Sequence, residues 1–166
     1  MRKKIECLKN HVDEINKILS ENSDCFYAGV PNIVRFKEIL FQKGVYEIQH
    51  DSLFLKSEHK EIVPYIKIQE TWKSDEMIAY TYQFEIPSVE YCFACRGSDK
   101  AAGYKTFSFR YESHLDRTDE KYPKYHLHVL DNVPPHYHVH LIEFQDFFNI
   151  IKNDFLNDSN LIVFKY

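Results

Sequence analysis

Apolar residues recur at spacings of three and four over residues 3–21, as Ile5, Leu8, Val12, Ile15 and Leu19, with Lys, Glu, Asp and Asn between them. That period puts one stripe on one side of a helix and predicts an amphipathic helix docked on a sheet. It runs into Glu21-Asn22-Ser23-Asp24, which predicts its stop. From Asp24 to Arg110 the pattern changes to short apolar and β-branched runs broken by polar residues. Ile33–Phe41 is such a run. Val45–His50 and Leu53–Leu55 read as two strands pairing across a turn near Asp51-Ser52. Ile62–Trp72 alternates in part, and Pro64 predicts an edge or a bend. Met77–Ile86 alternates well, with Ile78, Tyr80, Tyr82 and Phe84 on one parity. Thr106–Tyr111 alternates again, followed by a polar loop from Glu112 to Lys124.

Two more strands follow, one on each side of Asp131-Asn132-Val133-Pro134-Pro135, whose prolines end a strand and stiffen a turn. Ile142–Leu156 then reads as a second amphipathic helix, with Phe144, Phe147, Phe148, Ile151 and Phe155 along a wide apolar stripe. Leu161–Tyr166 reads as a last short strand. No repeat and no linker interrupts the 166 residues, so the chain is expected to be a single domain, 1–166. The predicted class is α+β: a mostly antiparallel β-sheet covered on one face by an N-terminal and a C-terminal amphipathic helix.

Composition narrows the function classes. Aromatic residues make up 16% of the chain, which favours a strand-rich folded protein over a disordered one. Four glycines, none in a GxGxxG or GxxxxGK pattern, exclude a glycine-rich phosphate cradle. The net charge of −4 argues against a broad basic surface. Residues 101–140 carry Lys105, Arg110, Arg117, Lys121 and Lys124 against Glu112, Asp116, Asp119, Glu120 and Asp131, so histidines decide the sign of that segment. No apolar signal core follows Met1–Lys4, and no stretch reaches the ~18 apolar residues of a membrane span. The expectation is a cytoplasmic protein without a membrane partner, in which Cys7, Cys25, Cys92 and Cys95 are thiols. Cys92-Phe93-Ala94-Cys95 lacks the second ligand pair of a zinc knuckle and reads as two partly buried thiols.

Six of the nine histidines lie between 114 and 140. His126 and His128 alternate with Leu127 and Val129, and His136, His138 and His140 with Tyr137, Val139 and Leu141. Alternate side chains share a face, so the two strands are predicted to be apolar inside and imidazole outside. Imidazoles facing one another across a ladder are close enough to share a metal ion or a phosphate, and histidine is the side chain most easily used near neutral pH as acid, base or metal ligand. The expected metal alternative uses His136, His138 and His140, with His126 or His128, to hold zinc or another divalent transition metal. Just upstream stands Phe109-Arg110-Tyr111-Glu112-Ser113-His114. Arg110 and Glu112 share a strand face and read either as a surface ion pair or as a phosphate-binding arginine beside the histidines.

That motif carries a family resemblance. Phe109-Arg110-Tyr111-Glu112, then His114, then Tyr125-His126-Leu127-His128, then a helix from near Glu143 resembles the TumE-type toxins of bacterial toxin–antitoxin modules over residues 78–155. Glu112 stands where the family pattern has Asp, and His136-Tyr137-His138-Val139-His140 is an addition to it. The resemblance implies a toxin component acting on RNA, with a cognate antitoxin protein as partner. The leading expectation is a metal-independent endoribonuclease needing no cofactor. His126 and His128 serve as base and acid, Arg110 stabilises phosphate charge, and His114 or Tyr111 positions it. The alternatives are a His-rich metal-binding protein or hydrolase, and a non-enzymatic domain that binds a protein partner through its aromatic and helical surface.

Overall fold

Among the described residues, seven strands lie across one antiparallel sheet in the order in which they occur in the chain, each after the first paired with the one before it. The computed structural model describes residues 5–27, 34–56, 63–86, 107–113, 124–129 and 137–156. Helix α1 spans Glu6–Glu21. The strands are β1 (Phe36–Glu38), β2 (Val45–Phe54), β3 (Tyr65–Lys73), β4 (Glu76–Ile86), β5 (Phe107–Ser113), β6 (Tyr125–Val129) and β7 (Tyr137–His138). Helix α2 spans Phe144–Ile151 and continues as a wider π turn through Leu156. The α+β class expected from the sequence is the observed one. Leu161–Tyr166 and Cys92–Cys95 fall outside the described residues. Among the described residues no helix is long and apolar enough to cross a membrane.

Both helices pack on the same face of the sheet. Leu8, Val12, Ile15 and Leu19 of α1 are buried, as the three-and-four spacing requires. The helix stops at Asn22, whose side-chain Nδ2 donates to the Ile18 carbonyl at 2.7 Å and satisfies one of the acceptors a helix end leaves open. Phe144, Phe147, Phe148 and Ile151 of α2 are buried as well. Phe147 meets Tyr82, Phe109 and Tyr111, and Phe155 in the π turn meets Phe84 and Phe109. Burying each such ring contributes about 1.5–3 kcal/mol. These aromatic contacts fix which face of β4 and β5 turns inward, and so which residues face away.

Two bulges separate the observed strands from those expected. Val45–His50 and Leu53–Phe54 form one strand along β3, not a hairpin. His50 pairs with Ile68 and Leu53 with Ile66, so Asp51 and Ser52 sit opposite the single residue Lys67. The extra residue is absorbed as a bulge, which keeps Leu53 buried. In β4, Thr71 pairs with Ala79 but Trp72 with Met77. The register shift brings Met77 onto the core in place of Ile78.

The other face is polar across four or five strands. In one row Lys67 pairs with Gln83, Gln83 with Arg110, and Arg110 with His128. In the next, Gln69 pairs with Thr81, Thr81 with Glu112, Glu112 with His126, and His126 with His138. Neighbouring strands are ~4.8 Å apart, so each row is a line of closely spaced polar groups.

Candidate functional site

The two rows converge at Glu112. Arg110 and Glu112 are two residues apart on β5 and share its outer face, as His126 and His128 do on β6. Glu112 Oε2 lies 3.0 Å from His128 Nε2, 3.3 Å from Arg110 Nη2 and 3.5 Å from His126 Nε2. The other carboxylate oxygen, Oε1, is 3.5 Å from the Thr81 hydroxyl. The two imidazole rings lie edge to face with centroids 4.8 Å apart. One carboxylate thus faces a guanidinium and two imidazoles. Glu112, His126 and His128 also place one donor atom each within 4.8 Å of one another.

Burial departs from the sequence expectation. The histidines were expected on a solvated outer face, but His126 is 2% exposed and His128 6%. They do face away from the helices, and they are nevertheless enclosed. Arg110 is the most open of the four, with Glu112 between. The Arg110–Glu112 pair is therefore not a solvated surface contact, and low dielectric strengthens every charge interaction in the cluster.

The remaining expected site residues distribute unevenly. Tyr111 lies on β5 with the opposite parity, against Phe109 and Phe147 on the helix-covered side. Burial there pushes its phenol pKa up. Tyr111 is not brought to the cluster, because strand alternation persists to the end of β5. His138 is the cross-strand neighbour of His126 and is exposed, as is His140, its ring 6.4 Å from that of His138. His114 and His136 lie outside the described residues. Glu112 is the residue that sequence reasoning left out of the site. Its signal was the i, i+2 spacing from Arg110 on a strand that pairs with the His126–His128 strand.

Two further carboxylates organise polar groups. On the same outer face, Glu85 accepts from Lys67 at 2.6 Å, from Gln83 at 2.6 Å and from the Tyr65 hydroxyl. On the helix-covered face, Glu70 is fully buried. It accepts from the Tyr82 hydroxyl at 2.5 Å and from Trp72 Nε1 at 2.8 Å, and pairs with His11 Nε2 at 2.9 Å. Burial alone would lower the His11 pKa, but its hydrogen bond to Glu70 and the charges of Glu70, Glu14 and Glu143 overcome this, and the net shift is upward. Burial, then the Glu70 charge, pushes the Tyr82 phenol well above its usual range. Glu70 ties α1 to the sheet and lies on the opposite side from the histidine cluster.

Comparison with protein-family models, with curated proteins and with solved structures returned no match.

Proposed function

We propose that the Arg110–Glu112–His126–His128 cluster cleaves RNA by general acid–base chemistry that needs no metal, and that the chain is the toxin component of a toxin–antitoxin pair. The observation that carries this reading is the meeting of one guanidinium and two imidazoles at a single half-buried carboxylate. Attack of a 2′-hydroxyl on the neighbouring phosphate needs a base for the hydroxyl proton and an acid for the departing 5′-oxygen. It also needs positive charge for the non-bridging oxygens. His126 and His128 divide the first two tasks. Arg110, the most open member, meets the phosphate first and neutralises the charge that grows on it. Glu112 orients both rings and stabilises the imidazolium formed when a ring takes the proton.

The toxin assignment draws on the resemblance of residues 78–155 to TumE-type toxins, which also supplies the antitoxin as partner. The test is cleavage of a short single-stranded RNA in EDTA, beside the same RNA with one 2′-deoxynucleotide at the cut site. The reading predicts a 2′,3′-cyclic phosphate end from the first and no cut in the second. Cleavage at the deoxy position would overturn it, since no internal nucleophile is present there.

A further inference from the structure

We infer that Glu112, His126 and His128 also form a binding site for a divalent transition-metal ion of the zinc type, and that filling it switches the nuclease off. The binding half stands on geometry alone; the switching half rests on the function proposed above. Zinc bonds to imidazole nitrogen and carboxylate oxygen at ~2.0–2.2 Å, so neighbouring donor atoms in a tetrahedral shell lie roughly 3.3–3.5 Å apart. Glu112 Oε2 is 3.0 Å from His128 Nε2 and 3.5 Å from His126 Nε2, and the three donor atoms fall within 4.8 Å. Small rotamer adjustments therefore place an ion among them. Two imidazoles and one carboxylate suit a borderline-soft first-row ion better than magnesium or calcium, which prefer all-oxygen shells. Solvent fills the fourth position, as in open three-ligand zinc sites.

The surroundings support the ligands. A carboxylate has several lone pairs, and the Thr81 hydroxyl donates to Oε1 of Glu112 as orienting groups do in metal sites. Burial matters too. An ion needs only the three donor atoms, and rings that are 2% and 6% exposed hold them away from bulk solvent. Once ligated, each Nε2 lone pair is committed to the metal and neither ring can accept or deliver a proton there. The ion and the substrate reaction are mutually exclusive. Arg110 opposes the metal, because its guanidinium shares Oε2 and adds a positive charge.

The experiment uses the full chain without a polyhistidine tag, stripped with EDTA and dialysed. Zinc binding is followed by calorimetry and by melting temperature, and cobalt binding by its visible absorption. We expect about one ion per chain and a higher melting temperature with zinc. Glu112→Gln and His126→Ala each remove a ligand and should weaken binding by at least the about 10–100-fold that loss of an outer-shell partner costs. Arg110→Gln should tighten it several-fold, an effect that loss of folding does not produce. His140→Ala should bind as wild type does, which separates the site from surface histidines. Cleavage should fall in proportion to zinc occupancy and return with EDTA. Absence of stoichiometric binding overturns the site and leaves the nuclease reading standing. Unchanged binding in both Glu112→Gln and His126→Ala places the ion elsewhere and overturns it too. Binding that maps to these residues while cleavage persists or rises overturns the switch. Mapped binding by a protein that never cleaves RNA supports the site and overturns the nuclease reading together with the switch.

Discussion

Removing the Glu70 carboxylate should cost the fold more than removing any exposed charge. Glu70 is fully buried and accepts from Tyr82 and Trp72 as well as from His11. Glu70→Ala leaves the Tyr82 hydroxyl and the Trp72 indole N–H buried without their acceptor. Each such loss costs about 1–3 kcal/mol. His11 is partly exposed and can turn toward water, so its share is smaller. The expected loss is about 3–5 kcal/mol, the range for breaking a buried charged network by deleting one partner. Against a total stability on the order of 5–15 kcal/mol, that is a large fraction. Urea unfolding followed by tryptophan fluorescence reads it directly: the midpoint should fall with little change in slope. The same network makes stability depend on pH. His11 has a folded-state pKa above its ordinary value of 6.5. Its contribution is therefore fully present below 6.5 and is lost as pH rises through the higher folded value. His11→Gln should abolish that part of the alkaline decline, while Glu70→Ala should abolish it and lower stability at every pH. A loss under about 1 kcal/mol for Glu70→Ala would refute the claim that its buried partners depend on it.

Other expectations follow from backbone and parity. Phe41 lies at the β1–β2 turn with φ of 67°, and its ring is fully exposed. Phe41→Asn should raise stability by about 0.5–1 kcal/mol in thermal unfolding, because Asn tolerates this left-handed backbone and no packing is lost. Gly44, with φ of 78° and open space around it, should lose about 1 kcal/mol on substitution by Ala from conformation alone. Tyr111→Phe should keep cleavage activity within about threefold of wild type, since the phenol faces the helices; a hundredfold loss would place it in the chemistry after all.

Much of this architecture was legible in the chain. The α1 period of three and four and the α2 phenylalanine stripe both appear as buried faces, because each segment spans at least two turns and the period has room to show. Strand parity puts His126 with His128 on one face of β6 and Arg110 with Glu112 on one face of β5, but only the β5–β6 pairing brings the two pairs together. Bulges were not legible: Asp51-Ser52 looks like a turn, and only the β3 partner shows that it is an extra residue inside a strand. Nor was burial, since alternation gives the face and not what encloses it, and so His126 and His128 looked solvated. Glu70 stands out in its strand. It interrupts the inward row Ile66, Ile68, Trp72, where a carboxylate needs partners to be tolerated. Trp72 supplies one partner from β3 itself, and the others come from α1 and β4, which no local pattern connects.

The central claim is that the carboxylate cluster performs metal-free RNA cleavage, and single-turnover cleavage in EDTA by wild type, Arg110→Ala, Glu112→Gln and His128→Ala tests it most directly. The account predicts measurable wild-type cleavage with cyclic phosphate ends. It predicts losses of about 10²–10⁴-fold for His128→Ala and of at least about tenfold for the other two, all with wild-type circular dichroism spectra. Equal residual cleavage in wild type and in all three variants would contradict it.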